Sequence, residues 1–184
     1  MSGAQAPIIL VRYDVNWPEQ FRAIGGRLRA ALTSTALRID HVGSTAVPGL
    51  DAKPVIDIQL SVAGLAPEIL YLVPLESLGY EFEPENPDRT KRFFRQPPGA
   101  PATHLHVRPA GGFDEQLNLL FRDYLRAHPE AARGYARTKW ELAERFRNDR
   151  AGYVRAKEPM VWSILVTAHD WAQASGWSPG PSDA

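Results

Sequence analysis

Several residues in this chain have the types and spacing to handle a charged ligand. Gly43-Ser44 is a small turn that leaves backbone amides and a hydroxyl open to an anion, and Asp57 follows Ser44 after twelve intervening residues. Asp57 and Gln59 are two positions apart, so on a strand both project from one face into one cleft. His104 and His106 repeat that spacing, with Leu105 and Val107 on the other face. One carboxylate with one or two imidazoles suits zinc, manganese or nickel better than magnesium, which prefers an all-oxygen shell. The other reading of these histidines is hydrogen bonding at a core edge. His41, just before the Gly-Ser turn, is a further candidate ligand. Lys53 sits at the mouth of the same loop, and Lys139 and Lys157 each follow a tyrosine (Tyr135 and Tyr153) by four residues, which places the pair on one helix face. These lysines read either as phosphate contacts or as solvated charges.

The remaining charged and aromatic groups have plainer readings. Arg89, Lys91, Arg92 and Arg95, beside Phe93 and Phe94, read as a solvated strand edge ahead of a nucleotide-binding patch. Arg122, Asp123 and Arg126 read as local ion pairs, and Trp140, Trp162 and Trp171 as core and interhelix packing. Neither of the common glycine-rich phosphate loops is present, and no nucleophile elbow surrounds Ser44.

The secondary structure around these groups follows from pattern. Asn16 reads as an N-cap with Pro18 in the first turn, and Phe21, Ile24, Leu28 and Leu32 continue a helix over about 18–32. Leu37–Val42 is a short strand, and residues 43–50 form a loop. Val55–Val62 is the clearest strand, because Ile56, Ile58, Leu60 and Val62 alternate with Val55, Asp57, Gln59 and Ser61. A helix over about 67–78 ends at Gly79. Short strands are expected at 80–83, 92–95 and 103–108. Helices are expected at about 114–127, from Pro129 to about 146, and from about 149 to 175 with an interruption at Pro159. Residues 176–184, rich in Gly, Pro and Ser, are expected to fray. A mixed sheet of about four or five strands flanked by helices, an α/β (α+β) class with the C-terminal helices as a bundle, is the architecture this predicts.

Composition narrows the function. The 184 residues suit one domain, expected over 1–175, with no linker to divide it. Lys plus Arg equals Asp plus Glu at 21 each, so the basic surplus of a long nucleic-acid binder is missing, while a small phosphorylated partner remains compatible. Cysteine is absent, which excludes disulfides, cysteine-based zinc sites and a thiol nucleophile. No apolar run approaches the roughly 20 residues of a membrane span. Met1–Leu10 lacks the pattern of an export signal, so a cytoplasmic location is the expectation.

The stretch His41-Val42-Gly43-Ser44-Thr45-Ala46-Val47-Pro48-Gly49-Leu50, continuing Ala52-Lys53-Pro54-Val55-Ile56-Asp57-Ile58, resembles the GrpB family. Tyr13-Asp14, Asn16-Trp17-Pro18, His104-Leu105-His106-Val107, Phe121–Arg126, Tyr135 with Lys139 and Tyr153 with Lys157 extend the resemblance over nearly the whole chain. It implies a nucleotidyltransferase-like fold related to DNA polymerase β. In active members of that superfamily a Gly-Ser turn contacts the nucleotide triphosphate, and an Asp-x-Asp or Asp-x-Glu pair plus a third carboxylate holds two magnesium ions. The resemblance therefore implies phosphate contacts at Gly43 and Ser44 and a divalent metal (Mg, Mn or Zn) on Asp57, with His104 and His106 on the strand expected to carry the third acid. Gln59 departs from the pattern, because its amide offers one neutral oxygen in place of a carboxylate. The function implied is binding of a nucleotide or related phosphorylated ligand, with metal-dependent nucleotidyl transfer if the site is catalytic. The alternative is a non-catalytic accessory module, like the related domains fused to dephospho-CoA kinases.

Overall fold

A computed structural model describes residues 7–184. Residues 1–6 of the Met1–Leu10 stretch read above for an export signal lie outside the described residues. The chain runs α1 (Trp17–Leu32), β1 (Arg38–Val42), β2 (Ile56–Val62), α2 (Ile69–Ser77), β3 (Glu81–Phe82), β4 (Arg92–Arg95), β5 (Thr103–Pro109), α3 (Phe113–Ala127), α4 (Pro129–Arg145) and α5 (Arg150–Ser175). The five strands form one mixed sheet in the order β1-β2-β5-β4-β3. Only β2 and β5 pair in parallel; the other pairs are antiparallel.

The period-two pattern of β2 sorts its residues to two faces. Ile58 pairs with Leu105 and Leu60 with Val107, and these join Ile39 and Phe94 in a core packed under Phe21, Ile24 and Leu28 of α1 and Tyr71 and Leu75 of α2. On the other face Asp57 pairs with His104, Gln59 with His106 and Ser61 with Arg108. The C-terminal helices gather on that second face. Leu120, Tyr124 and Leu125 of α3, Tyr135 of α4 and Ile164 and Ala168 of α5 share a second apolar cluster with Val47 and Leu50. No helix among the described residues is long and apolar enough to cross a membrane.

Four local expectations are corrected. Asn16 does not cap α1 with its side chain; Asp14 Oδ1 instead accepts from Asn16 N and Nδ2, both at 2.9 Å. The last helix is not interrupted at Pro159. The proline lies on the exposed side of α5, where water can satisfy the carbonyl left without a donor. Trp140 and Trp162 are 39% and 55% exposed rather than core, and of these three tryptophans Trp171 alone packs into the helical cluster. The tail does not fray: Ser182 Oγ accepts from Ile39 N at 2.8 Å, Asp183 Oδ2 accepts from His41 N at 3.0 Å, and Ala184 N donates to Ile39 O at 3.1 Å. The outer edge of β1 would otherwise leave these backbone groups unpaired, and the tail satisfies them.

Candidate functional site

The Gly43-Ser44 turn is built around one close approach. Gly43 has φ +70°, and a Cβ there would lie 2.5 Å from Asp57 Oδ2, so conformation and space both demand glycine. Ser44 begins a single 3-10 turn to Ala46, held by Ala46 N on Gly43 O and Val47 N on Ser44 O. From the α3 side, Arg126 Nε donates to Ala46 O at 2.9 Å.

Asp57 stands directly opposite His104, and His106 lies one pleat further on. His104 Nδ1 is 3.0 Å from Asp57 Oδ1, and His106 Nε2 is 3.8 Å from the same oxygen. One donor atom from each of the three residues lies within 4.8 Å of the others. The Phe93 ring from β4 flanks both imidazoles at 5.4 and 5.2 Å between centroids. Burial by itself would raise the Asp57 carboxyl, but hydrogen bonding and charge from His104 and His106 outweigh it and hold the group well below the usual carboxylate range. Burial lowers the His106 imidazole, with Asp57 pulling against it.

Gln59, expected to share this cleft, does not. It is buried beneath α3, where its Nε2 donates to Glu115 O at 3.1 Å and its Oε1 accepts from Asn118 Nδ2 at 2.8 Å. Both ends of the amide are occupied. A glutamate at this position would face the Glu115 carbonyl instead of supplying a metal ligand, so restoring an acid at position 59 would not rebuild the missing pair.

His41 also points elsewhere. It pairs with Ile58, hence faces the apolar side, and stacks on Phe21 with ring centroids 4.8 Å apart. Its Nε2 lies 3.0 Å from Thr45 Oγ1, and Thr45 gives its own hydroxyl proton to Val55 O. The Thr45 oxygen is then the acceptor, and His41 carries its proton on Nε2. Burial, reinforced by Arg126, lowers the imidazole to about 3, so the ring is neutral. His41 supports the Gly-Ser turn from behind and has no atom in the Asp57–His104–His106 group.

The lysines converge on the other wall. Lys139 is 2% exposed; its Nζ donates to Ser44 Oγ at 3.0 Å and to Asp51 O at 2.5 Å and sits over the Tyr135 ring. Burial, with repulsion from Lys157, lowers its ammonium to about 7. Lys53 and Lys157 both lie over the Tyr153 ring, at 5.6 and 5.7 Å. Burial, with Arg150 and Lys157 adding to it, lowers Lys53 as well. Ser44, Lys53, Asp57, His104, Lys139 and Lys157 line a cavity of about 190 Å³. Ser44, Asp57 and Lys157 also border a wider cavity of about 480 Å³, walled by Phe121, Tyr135, Val161 and Trp162, with Asp114 and Glu158 also on its lining.

The repeated Tyr-x-x-x-Lys spacing signalled the lysine wall. Sequence reads Trp162 as packing and Phe121 only through the family resemblance, because exposure of a large aromatic depends on how helices meet. The basic strand edge is not part of this site: Lys91 pairs with Asp88, Arg92 with Glu68 and Arg95 with Glu83. Arg122 reaches well beyond its local partner Asp123, to Asp40 and to Asp183 of the tail.

Comparison with known proteins places this arrangement. The GrpB protein family profile matches residues 7–167. A UPF0157 protein of Pseudomonas aeruginosa is 50% identical over 160 residues, covering 84% of this chain and 65% of that protein. A dephospho-CoA kinase of Mycolicibacterium paratuberculosis is 36% identical over 202 residues, covering 96% of this chain but only 49% of the kinase. The crystal structure of GrpB from Enterococcus faecalis superposes with a TM-score of 0.81 at 31% identity, over 90% of this chain and 99% of that one. Terminal uridylyl transferase 4 from Trypanosoma brucei, solved with bound CTP, shares the fold at a TM-score of 0.51 and 17% identity, over 89% of this chain and 57% of that one. With a family match across the Gly-Ser turn, the two central strands and the lysine-bearing helices, on a nucleotidyltransferase-like fold, the chain belongs to the GrpB protein family.

Proposed function

We propose that the cleft binds a nucleotide or related phosphorylated small molecule, with a divalent cation on Asp57. One observation carries this reading. Asp57 and His104 on the sheet wall face, across one small cavity, a wall made of Lys139 and Lys157 from the helices, Lys53 from the loop before β2 and the Ser44 hydroxyl of the turn. Anionic oxygens are the ligand atoms that both walls accept at once: the lysines and Ser44 as donors, the cation as their counter-charge. The aromatic cavity beside it, sharing Ser44, Asp57 and Lys157, has the size and lining for the organic part of such a ligand. A cation held there would polarise a bound phosphate, while Lys139 and Lys157 neutralise it and the Gly43 turn keeps Ser44 in place. The cytoplasm, where nucleotides are abundant, is the proposed setting.

Whether the bound ligand reacts turns on the second acid. With Gln59 locked under α3, Asp57 is the one carboxylate lining the lysine cavity, which favours a second reading: an accessory binding module. The dephospho-CoA kinase relatives, of which the chain spans about half, agree with that role.

Calorimetry with ATP, CTP, GTP and UTP, with and without Mg²⁺, Mn²⁺ or Zn²⁺, tests the proposal. Asp57→Asn keeps shape and removes charge, and is expected to weaken metal–nucleotide binding at least tenfold, about 1.4 kcal/mol. If the wild-type protein binds none of these and Asp57→Asn alters only thermal stability, Asp57 is structural and the accessory reading replaces this one.

A further inference from the structure

We infer that Asp57, His104 and His106 form an open site for a single borderline transition-metal ion, zinc foremost, and that this site discriminates against magnesium. The inference rests on the cleft reading above and deepens it by naming the class of cation.

Ligand chemistry comes first. Two imidazoles and one carboxylate make a ligand set that zinc accepts with a fourth position left to water or substrate. Magnesium demands near-octahedral oxygen coordination and binds few imidazoles. The magnesium sites of related folds depend on paired carboxylates, and this chain departs from them at two strand positions. Gln59 is neutral and turned away, with both ends of its amide bonded. The neighbouring strand offers His104 and His106 rather than an acid. The residues present do not fit a two-magnesium centre.

Geometry comes second. The parallel pairing sets Asp57 directly across from His104, so their side chains meet without bending either strand. The three donor atoms, all within 4.8 Å, need only small rotations to reach the roughly 3.3 Å separations of tetrahedral ligands about 2.0–2.1 Å from one ion. Gly43 fixes the back of the carboxylate and Phe93 flanks both rings, which limits other rotamers. His106 Nδ1 is buried without a hydrogen-bond partner, so this imidazole is only partly satisfied by the protein. The group opens on the cavity that holds Ser44 and the lysines, which marks an exchangeable site rather than a closed structural one.

The test needs no nucleotide. The full chain, stripped with a chelator, is titrated with Co²⁺ while its visible absorption is followed, and Zn²⁺ and Mg²⁺ are then added as competitors. One equivalent of Co²⁺ should give ligand-field bands that stoichiometric Zn²⁺ abolishes and a thousandfold excess of Mg²⁺ leaves intact. His104→Gln, at a partly exposed position, should weaken Co²⁺ binding at least a hundredfold with little change in melting temperature. Displacement of Co²⁺ by comparable Mg²⁺ overturns the inference, as does Co²⁺ binding unchanged in His104→Gln, and both readouts stand if one variant folds poorly. Mg²⁺-dependent nucleotide binding without a Co²⁺ site would sink this inference alone. A Co²⁺ site without nucleotide binding would sink only the ligand proposal.

Discussion

On the sheet face covered by α1 and α2, Ile39, Ile58, Leu60, Leu105 and Phe94 are 0% exposed and carry no polar side-chain atom; on the opposite face Asp40, Gln59 and Ser61 are 0% exposed and every one is bonded. Asp40 pairs with Arg38 and Arg122, Gln59 bonds to Asn118 and the Glu115 carbonyl, and Ser61 Oγ donates to Glu115 Oε1 at 2.7 Å. Equal burial is reached by two means. Apolar packing is non-directional and tolerates small changes of shape, whereas a buried polar group needs its own partner in place. The polar face is therefore the one that can be left partly uncovered. Gln59 and Ser61 are bonded to residues of α3, while Asp57, one pleat back, borders the cleft.

Three perturbations test that contrast. The largest effect is expected on the polar face. Arg122→Met keeps bulk but removes the guanidinium that bonds Asp40, Asp123 and Asp183, and urea denaturation should show a loss of about 3 kcal/mol. That is the lower end of the usual cost, because Arg38 still pairs with Asp40. A loss under about 1 kcal/mol would mean the ion network tolerates change as a packed surface does.

An intermediate effect should come from pH, through the one imidazole on the apolar face. His41 has a folded value lowered from 6.5 to about 3, so between those limits the unfolded chain binds the proton and the folded chain does not. Its contribution is fully present above pH 6.5 and is lost as pH falls toward 3. Going from pH 7 to pH 5 should remove about 2 kcal/mol, at roughly 1.36 kcal/mol per unit. Denaturation curves at the two pH values, compared with His41→Gln, check this: the variant should show a shallower pH dependence. An unchanged slope would assign acid sensitivity to other groups.

The smallest effect belongs to plain packing. Ile58→Val, at the centre of the apolar face, should cost about 1 kcal/mol by the same denaturation assay. A cost matching that of Arg122→Met would erase the distinction between the two faces.

Periodicity by itself specified much of this protein. Alternation over 55–62, helical spacing from Phe21 to Leu32, and the glycine and proline punctuation each follow from local rules, and the elements lie within a few residues of where those rules put them. The shared face of Asp57, His104 and His106 was equally legible, because a two-residue spacing survives in any strand pairing that sets the residues in register. Other features needed the tertiary structure. His41 has the same residue type as the site histidines, yet strand register sends it to Phe21 on the other face. Gln59 shares Asp57's face, but α3 covers it, and nothing within the strand encodes where a helix more than fifty residues away will cross. The tail looked unstructured by composition; the open edge of β1 gives Ser182, Asp183 and Ala184 their partners. Local pattern decides which way a side chain points within its own element. What then lies in front of it, whether solvent, ligand or another helix, is set by contacts between residues far apart in the chain.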